Sequence, residues 1–143
     1  MDKNTSQLRS VPNITASSAI NAVKAAFAEA EKVGVNISVA IVDTSLNLVA
    51  FSRGDGATPH SAETSRRKAN TAASTDKATG WMESDLAITL PMARGNLLTN
   101  VSGGVPLRFN GILGGALGIA GGTVDQDNAI ARATLVAIGA DEI

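Results

Sequence analysis

The sequence predicts a single-domain α+β fold in which helices flank an antiparallel sheet, and three observations lead to it. The extended runs Val105–Phe109 and Ile112–Ala120 flank Asn110-Gly111, a pair that readily supplies the two positive φ angles of a type I′ hairpin turn. The elements follow the order helix, hairpin, helix, irregular segment, hairpin and helix, which favours an α+β domain. The run Asn36–Asp43 is apolar on both faces, so the sheet needs cover on both sides.

The first helix is predicted from apolar residues that recur at helical spacing between Ala16 and Val33, with Thr15 as N-cap and Gly34 after the end. Residues 1–13 are polar and aperiodic, so we expect them to form a flexible N-terminal arm. The domain itself is therefore predicted to cover residues 14–143. One domain agrees with a length of 143 residues, which is enough to bury its own core.

The middle of the chain predicts a hairpin followed by a helix. Leu48–Arg53 is expected to pair with the strand Asn36–Asp43, and a second helix is expected to start near Pro59 with Thr58 as its N-cap. Small residues recur along one face of this helix, which predicts close packing on the sheet.

The remaining segments are less uniform. Within residues 77–96 the sequence predicts no strand. It predicts one helix around Met82–Thr89, which is broken before Pro91. Asp125–Gly139 predicts a third long helix with acidic residues in its first turn.

Small residues also line one face of the strand Ile112–Ala120. Such a row indicates close approach by another backbone, a helix or a ligand, and the pattern alone leaves these alternatives open. After this strand, Gly121-Gly122 leads through Thr123 into the last helix, a geometry that can present free backbone N–H groups to an anion.

Composition argues against several classes of function. The chain has no Cys and one His, so we expect neither a zinc site nor any other metal site built from these residues. A net charge of −1 and an aromatic content of 3% argue against a nucleic-acid partner. No segment resembles a signal peptide or approaches the roughly 18 apolar residues of a membrane span, so we expect a cytoplasmic protein without a membrane partner. Three predicted helices are few to cover both apolar faces of the sheet, so we expect the chain to form a homo-oligomer.

A few polar side chains are candidates for chemistry. Asp55, His60 and Glu63 cluster around the start of the second helix, where they could transfer protons as catalytic residues. His60 could equally be a haem ligand or an ordinary exposed side chain, and Asp55 could simply be a turn residue. Arg53 and Arg108 could converge on a carboxylate or phosphate, or could be solvated.

Five linked motifs give the sequence a family resemblance. In chain order they are VAIVD (Val39–Asp43), LVAFSRGDGA (Leu48–Ala57), SAETSRRKANTAA (Ser61–Ala73), GGVPL (Gly103–Leu107) and GGALGIAGGTVDQD (Gly114–Asp127). The chain resembles the GlcG/HbpS family, or haem-degrading domain family, which includes the C-terminal domain of PduO-type cobalamin adenosyltransferases. The resemblance implies a profilin-like antiparallel sheet flanked by helices, and homo-oligomers from dimers up to octamers.

The resemblance also implies site residues and a ligand class. Some members bind haem or other tetrapyrroles, and the family pattern carries over onto Arg53, Asp55, Ser61, Lys68, Thr71, Gly103, Gly104, Gly121 and Gly122. The family's arginine-methionine-aspartate pattern appears here as Arg53-Gly54-Asp55, and the first helix contains no histidine.

Two functions follow as hypotheses. The first is an oligomeric small-molecule-binding protein, with haem or a related tetrapyrrole as the leading cofactor or ligand. The alternative is a metal-independent isomerase, hydratase or deaminase that acts on an anionic substrate. In either case we expect an anionic group to bind beside Arg53, Asp55, His60 and Gly121-Gly122, with Ser61, Lys68, Gly103, Gly104 and Arg108 as further ligand-binding residues.

Overall fold

The fold is a four-stranded antiparallel sheet with four α-helices, seen in a computed structural model that describes residues 5–143. The strand order is β2-β1-β4-β3. After a short 3₁₀ helix at Thr5–Gln7, the elements are α1 (Ala16–Lys32), β1 (Ser38–Val42), β2 (Leu48–Arg53), α2 (Ser61–Thr75), α3 (Ser84–Ala93), β3 (Gly104–Phe109), β4 (Ile112–Ala120) and α4 (Val124–Ala137). This architecture confirms the predicted α+β class.

The sheet is covered on both faces, as its apolar central strand predicts. One face carries Val39, Ile41, Leu117 and Ile119, which form a core with the alanines of α1 and with residues of α4. The alternate residues of β1 and β4 face α2, where Ala40, Val42 and Ala116 pack on Ala69, Ala72 and Ala73. The period of two along each strand therefore divides the core into two layers.

Helix α2 accounts for Gly118 in the row of small side chains on β4, whereas Gly114 lies against the backbone of Ile14. A β-carbon at Gly118 would overlap the carbonyl oxygen of Ser65, and one at Gly104 would overlap the carbonyl oxygen of Lys68. The helix backbone thus lies directly on the sheet. Of the alternatives that the sequence left open, packing by a helix is the one found at this face.

The β3–β4 hairpin has the turn conformation that the sequence predicts, and hydrogen bonds fix the turn of the β1–β2 hairpin. At the tip of β3–β4, Asn110 has φ 53° and Gly111 has φ 79°, the two positive angles expected there. In the β1–β2 connection, the Asp43 carboxylate accepts hydrogen bonds from the backbone N–H groups of Ser45 and Asn47, each at 2.9 Å. Side-chain and backbone groups together therefore fix both turns.

The start of α2 differs from the prediction by two residues. The N-cap residue is His60 rather than Thr58, and the helix begins at Ser61 rather than near Pro59. The Thr58 carbonyl accepts the Ser61 N–H at 3.0 Å and the Ser61 hydroxyl at 2.6 Å, so Thr58 and Pro59 form a turn before the helix.

The prediction that the helix around Met82–Thr89 is broken before Pro91 is wrong. Helix α3 contains Pro91 and ends at Ala93, although residues 77–96 contain no strand, as predicted. Proline removes only the N–H that would bond the Ala87 carbonyl, which water can hydrate on this half-exposed turn. The Arg94 N–H still donates to Leu90 O at 3.2 Å.

The segment before α1 is attached to the sheet at its end. Asn13 Oδ1 accepts the Thr44 N–H at 3.0 Å and the Thr44 hydroxyl at 2.7 Å, and the Ile14 N–H donates to Gly114 O at 2.8 Å. Residues 1–4 of the predicted arm lie outside the described residues, and its flexibility stays a prediction. Over residues 5–143, no helix has both the length and the apolar character needed to cross a membrane.

Candidate functional site

The N-terminal ends of α2 and α4 meet at a cleft of about 270 Å³. We call it the α2–α4 cleft. It is lined by Thr58, His60, Ser61, Thr64, Lys68, Val101, Ala120, Gly121, Gly122, Val124 and Asp127. Its walls thus come from the turn before α2, the first turns of α2, the end of β4 and the first turn of α4.

A buried ion pair forms one wall of the α2–α4 cleft. Lys68 Nζ lies 2.8 Å from Asp127 Oδ2 and donates a second hydrogen bond to Ile119 O, also at 2.8 Å. The other Asp127 oxygen accepts the Gly122 N–H at 2.8 Å. Lys68 and Asp127 are 1% and 3% exposed. Burial lowers the pKa of the Lys68 ammonium, and the hydrogen bond and charge of Asp127 oppose this shift.

No described residue accepts the third donor of the Lys68 ammonium. An ammonium carries three N–H donors, and the described residues accept two of them. Gly103 lies directly beside the Lys68 ammonium. A β-carbon at this position would lie 2.9 Å from Lys68 Nζ, and the residue has φ +124°. Glycine therefore suits this position both for its backbone conformation and for the space that Lys68 needs.

Both helices present unsatisfied N–H groups at this end. In α4, Thr123 and Gln126 form a capping box that satisfies two of the N–H groups. Among the described residues, nothing accepts hydrogen bonds from the N–H groups of Val124 and Asp125 in α4. Helix α2 has no side-chain cap, and no described residue accepts the N–H groups of Ala62 and Glu63. The α2–α4 cleft therefore combines two partially positive helix ends with a buried ammonium, an arrangement suited to an anion.

The predicted site residues differ in whether they line the α2–α4 cleft. The residues that do are His60, Ser61, Lys68, Gly121 and Gly122. The His60 side chain is exposed, and the Ser61 hydroxyl lies 2.8 Å from the hydroxyl of Ser38 on β1. Gly103 lies beside Lys68, as described above.

The other predicted residues do not line this cleft. Asp55 lines a separate cleft of about 270 Å³ on the α1 side, with Phe27 and Gly54 among its neighbours. Glu63 is exposed and lies 4.0 Å from Arg67 Nε. Arg108 Nε donates to Asp76 Oδ1 at 2.8 Å. Gly104 packs on the α2 backbone.

Arg53 occupies an intermediate position. The strand register pairs Arg53 with Ser38 and Ser38 with Ala120, so these residues form one row across the sheet on the α2 side. Ala120 lines the α2–α4 cleft, whereas Arg53 lies on the edge strand β2. Two strand spacings separate them, or about 10 Å, which an arginine side chain can partly span.

Sequence reasoning did not select Asp127 or Thr64, although both line the cleft. The sequence does place Asp127 among the acidic residues of the first turn of α4, shortly after Gly121-Gly122. Nothing in the spacing of the residues shows that Lys68 is its partner. Across residues 5–143, no group of three or more His, Asp or Glu side chains could hold a metal ion.

Comparison with known proteins places the chain in a family. Escherichia coli K12 GlcG is 36% identical over 92 residues, which cover 64% of this chain and 69% of GlcG. A Streptomyces reticuli HbpS double mutant superposes with a TM-score of 0.83 at 32% identity, covering 96% of this chain and 94% of HbpS. The PduOC–haem complex gives a TM-score of 0.82 at 30% identity and covers 90% of this chain and 97% of PduOC.

The family model described as haem degrading protein HbpS-like matches residues 14–136, nearly the whole of the predicted domain. The chain therefore belongs to the HbpS-like family of haem degrading proteins.

Proposed function

We propose that this protein is a self-associating small-molecule-binding protein whose ligand places an anionic group in the α2–α4 cleft. The observation that carries the proposal is the unused donor of the buried Lys68 ammonium between two helix N-termini. Asp127 neutralises the lysine charge, so the helix ends give the cleft its remaining positive character. The volume, about 270 Å³, suits a small molecule or the acidic end of a larger one.

Haem is the first larger ligand to test, because a relative's structure is a haem complex and the family model is described as haem degrading. The residues of one chain do not fit a haem held by an axial ligand within the cleft. Haem iron takes His, Cys, Met or Tyr; this chain has one His and neither Cys nor Tyr, and no Met lines the cleft. That histidine, His60, borders a cleft smaller than the roughly 300–1,000 Å³ of pockets that enclose drug-sized ligands.

Self-association is supported by apolar side chains at the surface. Ile88 and Met92 on α3 and Val136 on α4 are 59–69% exposed. Single exposed apolar residues are common on monomers, but Ile88 and Met92 lie four residues apart on one side of α3, and neighbouring exposed apolar side chains are typical of an interface.

The second candidate is a metal-independent isomerase, hydratase or deaminase that acts on an anionic substrate. The observation that favours it is the position of His60, whose free imidazole borders the same cleft as the helix ends. An imidazole within hydrogen-bonding reach of a bound substrate can move a proton to or from it. Asp55 and Glu63, the other predicted proton-transfer groups, lie outside this cleft.

Titration with ligands tests the proposal. Phosphate, a small dicarboxylate and haemin would be titrated into wild type, Thr64→Val and Glu63→Gln, using calorimetry for the anions and absorbance for haemin. Thr64 lines the cleft, whereas Glu63, its neighbour on α2, does not, so Glu63→Gln is the matched control. We expect saturable binding of at least one ligand, weakened by Thr64→Val only. Absence of saturable binding, or equal weakening in both variants, would refute the proposal.

The enzyme alternative needs a separate measurement. Proton exchange at carbon atoms of candidate substrates would be followed by NMR in D₂O, with His60→Ala beside wild type. Exchange that depends on His60 would favour catalysis over simple binding.

A further inference from the structure

Helix α3 contributes no buried residue to either core layer. Its apolar side chains Leu86, Ile88 and Met92 are 40%, 62% and 69% exposed. An isolated helix of ten residues is only marginally stable in water, and a helix with apolar residues around most of its surface is normally buried. Helix α3 therefore needs a partner that one chain does not provide.

Two of these exposed side chains, Ile88 and Met92, share one side of α3. Ala87, Leu90 and Pro91 are the half-buried side of α3, and Ile88 and Met92, four residues apart, lie on the other side. Trp81 before the helix and Leu97 after it are 40% and 47% exposed. We call Ile88 and Met92, together with Trp81 and Leu97 at the two ends of the helix, the α3 patch.

The charges at the two ends of α3 indicate what could bind the patch. Glu83 and Asp85 lie at its N-terminal end, Arg94 follows its last residue, and none of the three has an ion-pair partner among the described residues. A parallel copy of α3 would place like charges together. An antiparallel copy would place Glu83 and Asp85 of each helix beside Arg94 of the other, and would also oppose the two helix dipoles.

We propose that the α3 patch binds the same patch of a second copy, with the two helices antiparallel about a two-fold axis near Ile88. Such an isologous contact closes after two copies and buries both apolar surfaces. An anionic membrane is disfavoured as the occupant, because Glu83 and Asp85 border the patch. The inference rests on the proposed self-association and names the surface responsible for it.

Sedimentation of surface variants provides the first test. Ile88→Glu introduces a charge near the proposed axis, and Ile20→Glu introduces the same charge at a site on α1 with similar exposure, 50% against 62%. We expect wild type and Ile20→Glu to dimerise, and Ile88→Glu to raise the dimer Kd at least about tenfold. Because both sites are exposed, circular dichroism should show both variants folded.

Cross-linking tests the orientation, since the chain has no cysteine of its own. Under mild oxidation, Ile88→Cys should form a disulfide-linked dimer, and Lys24→Cys, on the exposed side of α1, should not. An equimolar mixture of Glu83→Cys and Arg94→Cys should give mainly mixed dimers.

The outcomes separate the inference from the proposal on which it rests. A monomeric wild type, including one that binds lipid vesicles through α3, would overturn both. An assembly that survives Ile88→Glu, or that cross-links equally well through Lys24→Cys, would overturn the α3 contact and leave self-association in place.

Discussion

Lys68 Nζ and Asp127 Oδ2 lie 2.8 Å apart in the interior and join α2 to α4 across 59 residues of sequence. The other ion pairs of the described residues involve at least one partner with more than a quarter of its side chain exposed. An exposed pair contributes little, whereas an ion left unpaired in the interior is costly. This contact therefore links the stability of the fold to the candidate site.

A double-mutant cycle should reveal this coupling. We expect Lys68→Met and Asp127→Leu each to lower the free energy of unfolding by about 3–5 kcal/mol, because each leaves a buried ion without its partner. The double variant should lose less than the sum of the two, and urea denaturation would measure all four proteins. Lys32→Ala, which removes the exposed pair with Glu29, should cost less than about 1 kcal/mol. Additive losses at Lys68 and Asp127 would show that the pair is not coupled.

Replacement of Gly118 by alanine should disturb the contact between α2 and the sheet. The new β-carbon would overlap the Ser65 carbonyl oxygen, so the helix must move, at a cost of about 1–3 kcal/mol or more. Gly34→Ala is the control, since its β-carbon would meet nothing within 4 Å and only its positive φ is unfavourable. Thermal melts would compare the two variants, and a Gly118→Ala protein as stable as wild type would contradict the close packing.

Local patterns predicted most of the fold, because each element carries its own signal. Asn110-Gly111 identifies a hairpin from two residues, and Thr15 identifies the start of α1. The errors occurred where a tertiary or solvent effect decides the outcome. Pro91 stays within α3 because water can satisfy the carbonyl that it leaves free, and Thr58 gives its carbonyl to Ser61 instead of capping α2.

The candidate site was less accessible to sequence reasoning. Residues close in sequence, such as Asp55, His60 and Glu63, diverge to different surfaces, because a strand end, a turn and a helix separate their directions. Lys68 and Asp127 meet only because the sheet brings the starts of two helices to one edge. No spacing rule encodes such a pair.

The Asp43 turn should make stability depend on pH in the acid range. Slight burial raises the pKa of Asp43, but hydrogen bonds from Asn47 and Ser45 outweigh this effect and lower its pKa from 3.8. Asp43 therefore binds a proton more readily in the unfolded chain than in the folded one. The stabilisation of the folded state by the Asp43 carboxylate is full above pH 3.8 and is lost as the pH falls through the lower folded-state pKa. Asp43→Asn keeps an acceptor oxygen without the charge, so its stability should approach that of wild type as the pH falls through the lowered folded-state pKa of Asp43. Denaturation at several pH values would measure this, and a constant difference would contradict it.

Charge reversal at Arg53 tests whether the edge strand belongs to the site. Arg53, Ser38 and Ala120 share one row on the α2 side, so the arginine can approach an anion at the rim of the cleft without lining it. We expect Arg53→Glu to weaken ligand binding at least about tenfold, or about 1.4 kcal/mol, with oligomeric state and melting temperature nearly unchanged because the residue is exposed. Arg108→Glu is the matched control, since Arg108 binds Asp76 instead. Normal binding by Arg53→Glu, or a loss that accompanies dissociation of the oligomer, would show that Arg53 is not part of the site.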